Sequence, residues 1–349
     1  MKYGRLVFYK NPVDKSKQQY VNVGDIFQSL AVESVYEQMH IPKSDIVCID
    51  RYALPYYDGD DVLLPLNGWF GKVKGSAIFP MSPKIHPLFL GFHDINKKDA
   101  KHFSGEDYIG CRDEYTYNLL CKRCPNAYMS GCMTLLFPKR EKPPVNGKTF
   151  IVDVSAKTYA QIPKELRDKA VRISHEVPIR FENDKQTEIR RLEDTARGFI
   201  ERYRTEAELV ITSRLHSAMV CVASGIPVVV MRESFDERYA FLDKFVPLYS
   251  AEAFDTIDWH PTPPDVEDIK AQTMALAIDA IRGSLDKKQV EAVHDYYMTR
   301  TRHEISTPFM VKAYDAVRDI SPELADFIRE KLLFRFTIAY GRERQEEQK

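Results

Sequence analysis

Cysteine is scarce in this sequence, with six in 349 residues. That is too few for a disulfide framework in a chain of this length. Long apolar runs are missing as well. No stretch reaches the ~18 apolar residues that a membrane-spanning helix needs. The N-terminus, MKYGRLVFYK, has too short an apolar run for a secretory signal, and no small-residue cleavage site follows. Neither sign of charge dominates: 50 Lys and Arg stand against 51 Asp and Glu, a net charge of −1. No global attraction to nucleic acid or anionic lipid follows. No internal repeat or low-complexity tract is present. These absences lead us to expect a cytoplasmic globular protein that does not bind nucleic acid.

The sequence does contain ample apolar material, 44% hydrophobic residues against 29% charged. At roughly 100–200 residues per domain, the length predicts two domains or one large one. Strand-like and helix-like patterns alternate along it. LVFYK, DIVCID, DVLLPLN, HPLFLGF and EDYIGCR read as short buried strands. GDIFQSLAVESVYEQM reads as a helix with Ile26, Leu30, Val35 and Met39 on one face. Residues 138–148, PKREKPPVNGK, are rich in proline and charge and read as a linker. A second alternation follows: strand TFIVDVS, helix PKELRDKA, strand VRISHEV, a helix over 184–204, strand ELVITS, helix LHSAMVCVAS and strand IPVVVM. Repeated strand–helix units predict parallel sheets covered on both faces. The expected organisation is a Rossmann-like domain over 1–138, another over 149–285, and a helical extension over 286–349.

Residues 210–231, VITSRLHSAMVCVASGIPVVVM, are almost wholly apolar or small, yet Arg214 and His216 interrupt them. The pattern puts both at the carboxyl end of a strand and the start of a helix, with Ser213 as the expected N-cap. Ligands of open α/β sheets bind at such ends, and a helix N-terminus there offers free N–H groups to an anion. The same two residues also admit a structural reading, with Arg214 in a salt bridge and His216 a satisfied core histidine.

SRLHSAMVCVASGIPVVV resembles the C-terminal signature of the polysaccharide pyruvyl transferase family. VNVGDIFQSLAVESV, with Asn22, Gly24 and Asp25, is similar to that family's N-terminal Asn-x-Gly-Asp motif. YIGCRDEYTYNLL, with Arg112 and Asp113, resembles its Arg-Asp element, and AYMSGCMTLLF resembles the strand closing its first domain. Where many members carry a glycine-rich run, this chain has LNGWFG. There Asn67, Gly68 and Trp69 are candidates for the acceptor, Gly68 for a tight turn and Trp69 for a flat sugar-stacking face, unless Trp69 is a core residue.

The resemblance implies an α/β fold of two Rossmann-like domains facing a cleft, as in GT-B glycosyltransferases. It implies phosphoenolpyruvate as donor and a cell-surface glycan or lipid-linked sugar as acceptor, with no cofactor. Within it, His216 suits a general acid because imidazole titrates near neutral pH and an anionic donor would favour its charged form. Arg214 suits an anion clamp, and Asp25 a group that holds or deprotonates a sugar hydroxyl, unless it simply caps its helix. Arg112 and Asp113 face the cleft, or pair and cap the next helix. Arg232, with Glu233 and Arg238, falls on the rim or in a solvated loop, and His175 ends a strand where it could face the cleft. His86, His93 and His102 read as structural. CKRC has zinc-ligand spacing, with Cys111 and Cys132 flanking Cys121 and Cys124, but the resemblance already accounts for the flanking pair and no metal is expected.

In the tail, Leu324, Phe327, Ile328, Leu332 and Phe336 form a helical stripe. Packing across the two domains is the expected use, with a partner or a peripheral membrane surface as the alternative. A homo-oligomer is left open. Two other functions fit the same scaffold: a nucleotide-sugar glycosyltransferase and a non-catalytic glycan-binding or assembly protein.

Overall fold

The computed structural model describes residues 1–9, 20–70, 78–93, 99–103 and 108–299. The tail stripe at 324–336 lies outside the described residues. The first half builds one parallel sheet from β1 (Lys2–Val7), β3 (Ile46–Asp50), β4 (Val62–Trp69), β5 (Ile85–His93), β6 (Ile109–Cys111) and β7 (Ala127–Met129), in the order β3-β1-β4-β5-β6-β7. Between its strands lie α1 (Val23–Gln38) and α2 (Glu114–Leu120). The motif AYMSGCMTLLF is only partly strand: β7 stops at Met129 and a 3-10 turn follows at Met133–Leu136.

The second half builds another parallel sheet, ordered β13-β12-β11-β8-β9, from β8 (Lys148–Val152), β9 (Val171–Ile173), β11 (Ala207–Thr212), β12 (Val228–Met231) and β13 (Leu248–Tyr249). Its helices are α3 (Ala156–Gln161), α4 (Lys164–Lys169), α5 (Lys185–Glu206) and α6 (Leu215–Ser224). Two parallel α/β sheets are thus present, as the alternation predicts. On α5 the apolar periodicity predicts a stripe of Ile189, Leu192, Ala196, Phe199, Ile200 and Tyr203; all are buried except Phe199, which is half-buried. Asp184 caps that helix, accepting from the N–H groups of Gln186 and Thr187 at 3.0 Å.

The segment VRISHEV is not one strand. β9 ends at Ile173, and after a break at Ser174 and His175 the chain forms β10 (Glu176–Pro178). β10 leaves the sheet and pairs antiparallel with β2 (Tyr20–Asn22), Glu176 opposite Asn22. The break has a local cause, since the His175 N–H donates to the Asp153 carboxylate at 2.8 Å instead of to a neighbouring strand.

The main core spans both halves, while a smaller cluster of Ile151, Ile162, Leu209, Ile211, Val229, Met231 and Ile257 belongs to the second half alone. The main cluster runs from Leu6, Phe27 and Leu64 through Leu135 to Leu192, Val220 and Leu276. Helix α6 lies inside it, packed against α1 and the Met133–Leu136 turn as well as its own sheet. Nine of its ten residues are buried, which explains its run of small residues. At the same interface Arg5 of β1, itself buried, grips the Glu193 carboxylate of α5 through two bonds of 2.7 and 3.1 Å.

Helix α7 (Glu267–Arg282) and helix α8 (Lys287–Thr299) return to the first half. α7 meets the Met133–Leu136 turn, α1 and β5, and α8 lies on β7. There the Met129 N–H donates to His294 Nδ1 at 3.1 Å. Tyr297 of α8 is 1% exposed and its phenol covers Gly131, whose φ of 66° suits glycine. Gly131→Ala would force a Cβ into that phenol. We expect a loss of about 2–3 kcal/mol, from left-handed backbone strain plus overpacking. Urea unfolding checks it, and an unchanged midpoint would mean that α8 does not dock there.

Candidate active site

The β2–β10 pair joins the two halves at the carboxyl ends of their sheets. It sets the start of α1 against the start of α6. Val23 N–H donates to the His175 carbonyl at 2.9 Å. Asn22 caps α1, its side chain accepting from Gly24 N–H at 3.1 Å. The cap is therefore Asn22, which leaves Asp25 in the first turn. Gly24 faces His216 closely: a Cβ there would lie 3.3 Å from His216 Cβ and 3.4 Å from Nδ1. A side chain larger than glycine would crowd the imidazole.

A cavity of about 750 Å³ opens at this junction. One wall is Asn22, Gly24, Asp25, Trp69 and Arg112. The facing wall includes Ser213, Arg214 and His216 after β11, with Arg232 and Arg238 after β12. These groups follow strands of both sheets at the ends where α/β folds bind ligands.

Arg214, not Ser213, occupies the N-cap position of α6, and it makes no side-chain cap bond. The Ser213 hydroxyl is taken by the Asp153 carbonyl at 2.5 Å, so it cannot turn back to the helix. Arg214 donates to Asp153 at 2.9 Å and to Glu176 at 2.5 Å. Burial works against its charge, but the bonds and charges of Glu176 and Asp153 outweigh burial and raise its pKa. The salt bridge and the cavity position thus occur together. Arg214 is both a structural knot and a cavity cation.

His216 is part-exposed on the cavity wall, but its Nε2 is shielded and has no hydrogen-bond partner among the described residues. Burial, followed by the charges of Arg112 and Arg238, holds its pKa well below the usual histidine value. Without ligand the imidazole is neutral at pH 7. The acid role expected of it therefore depends on an anionic ligand that favours the charged form.

Arg112 and Asp113 do both things expected of them: they pair, Arg112 Nε lying 3.7 Å from the Asp113 carboxylate, and they also take separate places. Arg112 lines the cavity although it is only 2% exposed. Asp113 caps α2, accepting from Thr116 N–H at 3.0 Å, and pairs with buried His93. Asn67 is buried in the frame: its amide donates to the Gln28 carbonyl at 3.0 Å and accepts from Met133 N–H at 3.3 Å. Gly68 sits within β4 at a register shift against β5 rather than in a tight turn. Of that trio only Trp69 lines the cavity.

His175 is fully buried away from the cavity lining. It packs against Phe27 and Phe199, with Nε2 2.7 Å from the Tyr203 hydroxyl. Burial pushes its pKa down to about 3. The expected cleft position is wrong because the chain leaves β9 at this residue and turns its ring under α1.

The family model of polysaccharide pyruvyl transferase matches residues 22–234, more than half of the chain. The chain belongs to the polysaccharide pyruvyl transferase family. The matched span begins at Asn22 and ends at Ser234, and both line the cavity. Among the curated proteins no match was found. Two solved structures are similar at low identity. One is an uncharacterized protein from Klebsiella pneumoniae subsp. pneumoniae: 15% identity, TM-score 0.40, 68% of this chain and 86% of that one covered. The other is assigned as a UDP-N-acetylglucosamine 2-epimerase from Listeria monocytogenes: 10% identity, TM-score 0.37, 82% and 98% covered.

This pyruvyl transferase-family cavity holds further groups that sequence reasoning missed. Asp153, Ser155 and Thr158 line it after β8, and Tyr239 lines it beyond β12. The Ser155 hydroxyl donates to Glu233 at 2.8 Å. The Tyr239 hydroxyl accepts from Arg232 at 2.8 Å and donates to the Ser213 carbonyl at 2.7 Å. Arg238 is forked onto Asp236 at 2.8 and 2.7 Å. Asp153 was findable, because it follows strand TFIV by the positional rule that singled out Arg214. Tyr239 carried no such signal. Among the described residues no group of three or more His, Cys, Asp or Glu is placed to hold a metal ion, and no helix is long and apolar enough to cross a membrane.

Proposed function

We propose that this cavity transfers a pyruvyl unit from phosphoenolpyruvate to two hydroxyls of a sugar on a cell-surface glycan or its lipid-linked precursor. The observation that carries the reading is the meeting of Asp25 with His216 in a cavity also lined by Arg112, Arg214, Arg232 and Arg238. The donor bears a phosphate and a carboxylate, and fixed cations match both. Family membership supplies the reaction class.

Bound donor charge offsets the repulsion that Arg112 and Arg238 exert on His216. The imidazole then takes up a proton and passes it to the donor methylene carbon, which becomes a methyl group. A sugar hydroxyl adds to the adjacent carbon, and its proton goes to Asp25. Phosphate leaves with the electron pair of the broken C–O bond. A second hydroxyl closes the ketal, and its proton returns to His216. Asp25 then releases its proton to the departing phosphate. The cytoplasm, where the donor is available, is the site of reaction on this reading.

Phosphate release that requires both phosphoenolpyruvate and a glycan or lipid-linked acceptor tests it. Protection from thermal unfolding by a nucleotide sugar, with none from phosphoenolpyruvate, would instead support a glycosyltransferase. The mechanism also fixes a proton balance. His216 starts well below its usual pKa, so donor binding near pH 7 should take up a proton, and affinity should fall as pH rises. Calorimetry in buffers of different ionisation heat reads this. The difference between wild type and His216→Gln isolates the histidine, because the donor's own phosphate titrates in both. No difference between the two would remove His216 from the proton path.

A further inference from the structure

Gln28 lies one turn along α1 from Asp25 and is fully buried. A buried side-chain amide is costly unless both ends find partners. Here both partners are cavity residues. Nε2 donates to the Asp25 carboxylate at 3.3 Å, and Oε1 accepts from Arg112 Nη1 at 3.4 Å. A carboxylate only accepts and a guanidinium only donates, so the amide has one workable orientation. The frame fixes its place, because the Gln28 carbonyl is held by Asn67 at 3.0 Å.

No hydrogen bond or ion pair joins Asp25 directly to Arg112 among the described residues. An acid and a cation flanking the same buried group would gain by closing on each other, since a charge-assisted forked pair is stronger than a bond to a neutral amide. Such closure would tie up the oxygens and N–H groups that the cavity needs. The neutral amide gives each one bond without closing them on each other; the Arg112 Nε already lies 3.7 Å from the Asp113 carboxylate.

We propose that Gln28 is a positioning residue whose amide holds Asp25 and Arg112 apart and aimed into the cavity. What those two groups then do rests on the pyruvyl-transfer reading. The bridge itself belongs to the chain without ligand.

Gln28→Met keeps length and removes both bonds. Crystal structures of the ligand-free wild type and this variant should show Asp25 and Arg112 moving together into a direct ion pair. In steady-state kinetics kcat/KM should fall about 10–100-fold, the scale of a misplaced group. In an Asp25→Asn, Arg112→Met background the same substitution should cost nothing further. Gln28→Glu is the second variant should the methionine fail to fold; its carboxylate should engage Arg112 and drive Asp25 aside, with a similar loss. Unmoved Asp25 and Arg112 side chains, or kcat/KM within about twofold of wild type, would overturn the proposal. If the wild type does not turn over phosphoenolpyruvate, the functional reading fails, and the structural comparison still decides the role of Gln28.

Discussion

His216→Gln should lower turnover about 10²–10⁴-fold, the contribution of a positioned general acid, while leaving the melting temperature at or above that of wild type. The two halves of this expectation come from one observation. The His216 Nε2 is shielded and unpartnered among the described residues, so it stabilises nothing in the ligand-free fold. A buried polar atom without a partner is a cost, and the glutamine amide can turn toward the open cavity. Arg214→Ala should behave differently. It removes the cation from the Asp153 carboxylate, which is 12% exposed and keeps, among the described residues, only its bond from the His175 N–H, and from the more open Glu176. Donor binding and stability should fall together, the latter by about 1–3 kcal/mol, discounted because the Arg214 side chain is 27% exposed. Paired melting curves and donor kinetics separate the cases. A His216→Gln protein that melts far below wild type while its folded fraction keeps normal turnover would make His216 structural.

Acidification should unfold this protein early, and His175 should account for a large share. Its pKa is about 3 in the fold because of burial, against about 6.5 in an unfolded chain. Between those values the unfolded chain binds a proton that the folded one refuses. Stability is therefore unaffected well above pH 6.5 and falls as pH drops through the window. At pH 4.5, two units below the unfolded value, the loss is about 3 kcal/mol, and it approaches roughly 5 kcal/mol near pH 3. The check is urea unfolding at pH 7 and 4.5 for wild type and His175→Gln, which retains a polar group toward Tyr203. The variant should be less stable at neutral pH but should lose about 3 kcal/mol less on acidification. Equal losses in the two proteins would mean that His175 is not held neutral by burial.

The sequence by itself determined the local elements. The 3.6-residue stripe of α5 and the apolar runs of β4, β5, β11 and β12 are properties of neighbouring residues, because a buried face must repeat with its own helix or strand period. The order of four motifs carried the resemblance to the family, which the family model bears out over residues 22–234. What needed the tertiary structure was every choice set by a distant partner. Whether His175 faces ligand or core depends on β10 leaving its sheet to pair with β2, about 150 residues earlier in the chain. Whether α6 is capped by Ser213 or begins at Arg214 depends on Asp153, which captures one hydroxyl and one guanidinium. Gln28 reads in sequence as one polar residue on an apolar helix. Only the fold brings Arg112, 84 residues away, to its other end. Periodicity carries information over one or two turns, whereas the sign and strength of a buried polar contact are set by whichever group folding brings within about 3 Å.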